Sequence, residues 1–331
     1  MPDIYVGGIP LAGNPVAGTP VGGTPLAAQR IPARHGDNLL DTLLQAGQKV
    51  PWSCRSGHCQ SCLVQAEPGE VPSQANSSLD PEQQRNGWLL ACQCSIQQDM
   101  HIHLHDPATD GLRARISHLE LLAEDILLLR VMPEKPLRFR PGQHVVLWLD
   151  GATARPYSIA SLPADGYLEF HLKLVANGAF SSAISQCETG DTLYLGKASG
   201  HFHYDPAWQD TPLLMLASGT GLAPLQAIAR EALSSGHEAP IILWHWSSSA
   251  AGCYLQEPLQ QLADAHPELT LHLRPRAELT ADLTQLRLAS RKTLALLCGQ
   301  PAFVEQLRKP LFMAGLPGRQ ILDEAFISRQ P

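Results

Sequence analysis

The chain has 331 residues, 44% of them hydrophobic and 17% charged, with a formal net charge of −7. That length predicts two or three domains with real cores, and the acidic balance excludes nucleic acid as a main partner, because phosphate binding needs a basic footprint. The sequence contains no run of about 18 apolar residues and no basic segment followed by an apolar one, so neither a membrane span nor a secretory leader is expected. A cytoplasmic location follows as the expectation, with the eight cysteines present as metal ligands and thiols rather than disulfides.

In chain order, residues 2–8 (PDIYVGG) predict a short strand. Residues 9–28 are four tandem pentads, IPLAG, NPVAG, TPVGG and TPLAA. Proline at every fifth position removes amide donors and blocks both helix and central strand. The repeat is expected to lengthen the turn of a hairpin whose second strand lies near Gln29–Ala33, as an insertion without a role of its own or as a partner-docking arm. Asp37–Ala46 predicts a short amphipathic helix, capped by Asp37, with Leu39, Leu40, Leu43 and Leu44 facing inward and Gly47 ending it.

The segment Pro51–Cys62, PWSCRSGHCQSC, places Cys54, Cys59 and Cys62 with four and then two residues between them, and Cys92 follows about thirty residues later. This is the plant-type ligand spacing of a [2Fe–2S] cluster: three thiolates from one tight loop and a fourth from a distant segment converge on two irons. Gly57 permits backbone angles that a side chain would forbid. A zinc site would favour two Cys-x2-Cys pairs or Cys with His at finger spacing. Cys94, two residues past Cys92, is the alternative fourth ligand, and His58 is expected to be exposed, since a Rieske centre needs two histidines at another spacing. Asp37–Cys62 together with LACQC resembles the ferredoxin domain of ferredoxin-fused flavin reductases, the NADH-dependent reductase components of bacterial oxygenases such as those of benzoate dioxygenase and soluble methane monooxygenase.

Further on, Leu79–Asn86 predicts a small helix, and HIHLH (101–105) alternates as a strand whose three histidines share one solvated face. Asp106–Gly111 reads as a linker. From there to about Pro212 the chain is strand-rich and predicts a small antiparallel barrel, with ARISHLEL and ILLLRVMP as a hairpin. Within it, Arg155-Pro156-Tyr157-Ser158 resembles the Arg-x-Tyr-Ser signature of the ferredoxin–NADP reductase superfamily. A guanidinium suits a pyrophosphate, and a tyrosine and a serine suit the edge of an isoalloxazine ring. Gly178-Ala-Phe-Ser181 resembles the family's second flavin segment, and Gly200-His-Phe202 its closing turn. His144 stands where the family usually has Tyr and is expected to shape the barrel only.

From Pro212 strands and helices alternate, which predicts a parallel, doubly wound sheet. Gly219-Thr220-Gly221-Leu-Ala-Pro224 lies between its first strand and first helix, where bare amides and a helix N-terminus favour a pyrophosphate. It resembles the nicotinamide-binding Gly-Gly-Thr-Gly-x-Ala-Pro, with Ser218 in place of the first glycine. Cys298-Gly299-Gln300-Pro301 resembles the family's Cys-Gly-Pro-Pro, and Glu324-Ala-Phe326 its Glu-x-Phe. Cys187 and Cys253 are expected as packing thiols.

The resemblance implies a multidomain α/β and β protein: a plant-type ferredoxin β-grasp domain (1–105), a flavin-binding antiparallel β-barrel (106–211) and a doubly wound NAD-binding domain (212–331). It implies FAD at Arg155, Pro156, Tyr157, Ser158, Gly178, Ser181 and Phe326, and nucleotide at Gly219, Thr220, Gly221 and Pro224. Ser158, Cys298 and Glu324 would line the hydride path, and Cys54, Cys59, Cys62 and Cys92 would hold the cluster. NADH is expected over NADPH, because Trp246-Ser-Ser-Ser-Ala carries no basic residue for a 2′-phosphate, although Arg274 and Arg276 follow the next strand. The acceptor would be a protein, an oxygenase component or a non-oxygenase partner such as a deoxysugar dehydrase, and the chain a monomer. A non-enzymatic electron carrier or redox sensor is the reading from another class.

Overall fold

The computed structural model of the chain describes residues 1–7, 28–67, 70–248, 253–286 and 288–327. It divides into two compact units, one from Met1–Gly111 with Val146–Pro156 and one from Leu112–Val145 with Tyr157–Ser328. Among the described residues no helix is long and apolar enough to cross a membrane.

In the first unit β1 (Asp3–Val6) and β2 (Gln29–Pro32) pair antiparallel as the expected hairpin; most of the pentad repeat between them lies outside the described residues. Helix α1 (Leu39–Gln45) buries Leu39, Leu40 and Leu43. Its cap is Asn38 rather than Asp37: Asn38 Oδ1 accepts from the Asp41 amide at 3.3 Å, while Asp37 turns back to accept from the Arg34 amide at 2.8 Å. β3 (Leu63–Ala66), α2 (Pro81–Arg85), β4 (Trp88–Leu90) and β5 (Met100–Leu104) follow. The five strands run in the order β2-β1-β5-β3-β4, with β1 and β5 parallel, a β-grasp sheet whose core holds Ile4, Leu40, Leu43, Val64, Leu89 and Ile102.

One expectation for this region is corrected. His105 is buried, not solvated, because it packs between Trp88 and Trp148 at ring-centroid distances of 5.6 and 4.3 Å. Asp106–Gly111, the expected linker, carries a short helix: Asp106 caps α3 (Pro107–Asp110) through the Ala108 amide at 3.0 Å, and Pro107 presets the first helical turn.

The second sheet consists of β6 (Leu112–Ala123), β7 (Ile126–Pro133), β8 (His144–Trp148), β9 (Ala154–Ser158), β10 (Leu168–Lys173) and, after the short helix α4 (Ala179–Ile184), β11 (Thr192–Leu195). Their order is β10-β7-β6-β11-β8-β9, with β6–β7, β7–β10 and β6–β11 antiparallel.

The third sheet alternates with helices: β12 (Leu213–Ser218), α5 (Leu222–Ser234), β13 (Ile241–Ser247), α6 (Gln256–Ala265), β14 (Leu269–Pro275), α7 (Leu279–Gln285), β15 (Leu294–Gly299), α8 (Pro301–Met313) and β16 (Ile321–Ala325). All neighbours in the order β14-β13-β12-β15-β16 are parallel. Leu225, Ile228 and Leu259 from α5 and α6 pack with one face, and Leu279, Phe303, Leu307 and Leu311 from α7 and α8 with the other. Each such fully buried aliphatic contributes about 1.5–3 kcal/mol. The strand order reverses between β12 and β15, so the crevice beyond their carboxyl ends lies at Ser218–Gly221 and Cys298–Gly299, where a doubly wound sheet takes its ligand.

Candidate functional site

The cysteine loop holds its shape with residues in left-handed backbone: Arg55 (φ 54°), Gly57 (φ 83°) and Gln60 (φ 57°). Its amides turn inward onto sulfur. Cys54 Sγ accepts from the Ser56 and Cys59 amides at 3.4 Å each, and Cys59 Sγ from the Cys54 amide at 3.5 Å. Gln93 closes the loop from the distant segment, its Nε2 donating to Arg55 O at 3.0 Å and Cys92 Sγ at 3.4 Å. A methyl group at Gly57 would press on Gln93 Cγ at 3.1 Å.

Cys54 and Cys59 face each other through reciprocal amide-to-sulfur hydrogen bonds, and the Cys62 thiol is influenced most by Cys92. A hydrogen bond from the Cys59 thiol lowers Cys54 and raises Cys59, and one from Cys62 lowers Cys92 and raises Cys62. No three of these sulfurs lie within 4.8 Å of one another. A single tetrahedral zinc ion would draw all four to about 3.8 Å apart, given a Zn–S bond of about 2.3 Å. Two pairs suit two irons instead. Cys94 lies in the core at 0% exposure, where burial alone pushes its thiol up to about 12.

On β9, the Arg155 guanidinium donates to Ala154 O at 2.8 Å, and Pro156 follows it in the strand. Tyr157 tilts against Phe180 at 5.2 Å. Ser158 is buried and donates to Glu324 Oε1 at 3.3 Å. Gly178 precedes α4, Ser181 Oγ accepts from the Val175 amide at 2.9 Å, and a methyl at Gly178 would approach Val175 O at 3.1 Å. His144 does more than shape the sheet. Its Nε2 lies 3.1 Å from Ser199 Oγ and its Nδ1 3.8 Å from Glu324. Gly200, at φ 100°, leaves room for the ring, because a Cβ there would sit 3.0 Å from His144 Nδ1.

Glu324 reaches this position through register: in the parallel pairing of β15 with β16 it stands opposite Cys298. Its Oε2 is buried with no hydrogen-bond partner, an orphaned polar atom beside Ser158 that fits the polar edge of a bound flavin. Burial raises this carboxyl from 4.5 to about 8. Between those values the folded chain keeps a proton that the unfolded chain has lost, so stability falls as pH rises through the window and levels off above about 8. Melting curves at several pH values should show this fall in the native protein and a flatter profile in Glu324→Gln.

The nucleotide turn continues from β12. Gly219 adopts φ 56°, and a Cβ there would meet nothing within 4 Å, so space is open above the turn for a phosphate. Thr220 sits between the two glycines in this turn. Gly221 is the opposite case, its missing Cβ falling 2.1 Å from Cys298 O. Pro224 is buried in the first turn of α5, where no intrahelical amide bond is lost. Cys298 is fully buried; burial, then the nearby Glu324, pushes its thiol up. The Phe326 amide donates to Gly299 O at 2.8 Å, holding the half-buried ring near the crevice. Arg274 is tied to Glu278 and Asp282. Arg276 donates to Ser218 Oγ at 2.6 Å and lies 4.8 Å over the Phe303 ring.

The sequence reading thus missed His144, and it also missed the buried chain Arg130–Glu169–His171–Tyr254. The available signal for the chain was Glu169 and His171 alternating with Leu168, Phe170 and Leu172 on a strand buried on both faces.

Three family models match the chain: the 2Fe-2S iron-sulfur cluster binding domain over residues 26–97, the oxidoreductase FAD-binding domain over 113–204 and the oxidoreductase NAD-binding domain over 215–309. The ferredoxin–NAD(P)(+) reductase component of a naphthalene 1,2-dioxygenase system from Pseudomonas putida is 32% identical over 315 residues, 89% of this chain and 95% of that protein. A CDP-6-deoxy-L-threo-D-glycero-4-hexulose-3-dehydrase reductase from Yersinia pestis is 26% identical, over 87% of this chain and 93% of that one. An Amycolatopsis cytochrome P450 reductase of known crystal structure superposes with a TM-score of 0.63 at 26% identity, covering 98% of this chain and 99% of that one. Thiols set in pairs, an orphaned acid beside Ser158 and an open glycine turn agree with these matches, and the chain belongs to the ferredoxin-fused, NAD(P)H-dependent flavin reductases, oxidoreductases that use FAD and a [2Fe–2S] cluster.

Proposed function

We propose that the chain, a cytoplasmic monomer, passes electrons from NADH through FAD and a [2Fe–2S] cluster to an oxygenase component. The observation that carries this reading is the cysteine loop whose amides donate to Cys54 and Cys59 sulfur, closed from the distant segment by Gln93 on Cys92 Sγ, in a chain that also folds a glycine turn at a parallel-sheet switch point. FAD held by this chain would supply the chemistry that converts a two-electron hydride into the single electrons a one-electron cluster requires.

The chain's own work is positional. Arg155 would offer its guanidinium to the flavin pyrophosphate, Tyr157 would meet the edge of the isoalloxazine ring, Pro156 stiffens the strand, and Gly178 and Ser181 would supply a close backbone approach. Ser158 and Glu324 hold a proton at the ring edge, and Phe326 covers the ring face. Gly219, Thr220, Gly221 and Pro224 take the nucleotide phosphates, and Cys298 lines the nicotinamide's approach. The proposed boundaries, 1–105, 106–211 and 212–331, are supported by the spans of the three family matches.

NADH is favoured because β13 ends in Ser247 and is followed by Ser248, where a 2′-phosphate needs a cation, and because Arg274 is already held by Glu278 and Asp282. The naphthalene dioxygenase reductase supports an oxygenase acceptor; the Yersinia pestis dehydrase reductase supports a non-oxygenase acceptor as the second reading. The test is an anaerobic visible spectrum followed by separate titrations with NADH and NADPH. NADH should bleach both flavin and iron–sulfur bands at lower concentration than NADPH. Flavin bleaching without a cluster signal would refute the metal assignment, and no bleaching by either nucleotide would refute the reductase reading.

A further inference from the structure

Consecutive outward positions on a strand are normally either solvated or apolar, yet Glu169 and His171 on β10 are 7% and 3% exposed. Buried polar groups persist only where they are partnered, and here the partners form one chain. Arg130 Nε donates to Glu169 Oε2 at 2.7 Å, Glu169 Oε1 lies 3.1 Å from His171 Nε2, and His171 Nδ1 lies 3.0 Å from the Tyr254 hydroxyl. The carboxylate can only accept, so His171 Nε2 carries a proton, and the hydroxyl of Tyr254 completes the ring at Nδ1. Burial works against ionisation of Glu169, but His171 and Arg130 outweigh it and hold the carboxyl below its ordinary range.

Tyr254 does not belong to the sheet that carries His171. It lies between β13 and α6 of the parallel-sheet region. Its neighbour Cys253 makes a second connection: Cys253 Sγ lies 3.1 Å from His245 Nδ1, and His245 Nε2 lies 3.0 Å from the carbonyl oxygen of Gly219. A carbonyl can only accept, so His245 donates from Nε2 and receives the Cys253 thiol at Nδ1. His245 is fully buried, which lowers it to about 4 and keeps the ring neutral in this arrangement. The His245 and Tyr254 rings also meet edge to face at 5.8 Å. Two adjacent residues therefore grip the flavin-side strand and the anchor of the nucleotide turn at once.

We infer that Cys253–Tyr254 is a positioning bracket for hydride transfer: Tyr254 fastens the nucleotide-binding sheet to β10 through His171, and Cys253 fixes the Gly219 turn through His245. Nothing in this bracket touches the reacting atoms. It sets where the nicotinamide stands relative to the flavin, and hydride transfer is steeply sensitive to that placement. The inference rests on the proposed NADH and flavin sites.

The test is rapid-mixing reduction of the flavin-loaded holoprotein by NADH. Tyr254→Phe keeps the ring and removes only the hydroxyl. Its limiting rate of flavin reduction should fall roughly 10- to 100-fold, while the NADH dissociation constant moves less than about twofold, since the phosphate contacts remain. His171→Leu should reproduce the loss, and His171→Gln, which keeps an acceptor for Tyr254 and a donor for Glu169, should restore most of the rate. A purely structural role would lower the melting temperature of Tyr254→Phe and leave the limiting rate of the loaded protein unchanged. That result, or a rate loss matched by an equal loss of NADH affinity, would overturn the inference. Dithionite bleaching of each variant shows that flavin is loaded. If the native protein itself is not reduced by NADH, it is the reductase reading that fails, not the bracket alone.

Discussion

Cys92→Ser should reduce NADH-driven reduction of a one-electron protein acceptor such as cytochrome c to background, while NADH-driven reduction of a flavin-level dye such as ferricyanide persists. The two thiol pairs cannot substitute for each other. Cys92 shares its hydrogen bond with Cys62, and Gln93 and Asn38 fix the segment by donating to Cys92 Sγ and Cys92 O at 3.4 and 3.0 Å. Losing this thiolate leaves one iron with a single protein sulfur. Cys94→Ser is the control, since Cys94 packs in the ferredoxin core. It should cost stability but keep the cluster absorption and both activities. If Cys94→Ser bleaches the cluster and Cys92→Ser does not, the fourth ligand has been assigned to the wrong cysteine.

Gly221→Ala should disable the nucleotide side. Its new methyl group would sit 2.1 Å from Cys298 O and 2.5 Å from the Cys298 carbonyl carbon, both rigid backbone atoms of β15. The turn or the strand has to move, at about 1–3 kcal/mol for overpacking of this kind. That corresponds to a drop of roughly 3–10 °C in melting temperature for a unit of this size. The same shift carries the glycine turn away from Cys298, so NADH should no longer reduce the flavin at a useful rate, although dithionite still does. Gly219→Ala separates the two effects. A methyl there meets nothing within 4 Å but stands at φ 56°, which costs about 1–2 kcal/mol. It projects into the open space above the turn, so loss of NADH affinity should dominate. Calorimetry and NADH titration of the two variants check both statements.

What was legible in the sequence follows from how local each signal is. The cysteine spacing, the Arg155–Ser158 run and the Gly219–Pro224 turn are short motifs whose chemistry depends on neighbours in the chain. The alternation after Pro212 announced a parallel sheet because its strands, such as β12 and β15, are apolar throughout. Asn38 took the cap from Asp37 because Asp37 had a second amide, that of Arg34, within reach. β16 escaped notice since ILDEA is a short, half-buried edge strand. His105, His144 and His171 depend on Trp148, Glu324 and Tyr254, distant partners that no window along the chain could reveal. For them the only warning was polar residues recurring on strands that are otherwise apolar.

The pairing of β16 with β15 has a consequence for insertions and deletions. Glu324 stands opposite Cys298 and faces Ser158, while Asp323, one residue earlier, stands opposite Leu297 and pairs with Arg308 of α8. Side chains alternate across a strand, so a shift by one residue swaps these two acids between faces of the sheet. The connection from α8 to β16 can therefore lengthen or shorten at small entropic cost, whereas a single residue gained or lost within Ile321–Ala325 would take Glu324 out of its place opposite Cys298 and Asp323 out of register with Arg308. Homologous chains should accumulate length changes in the connection and none in those five positions.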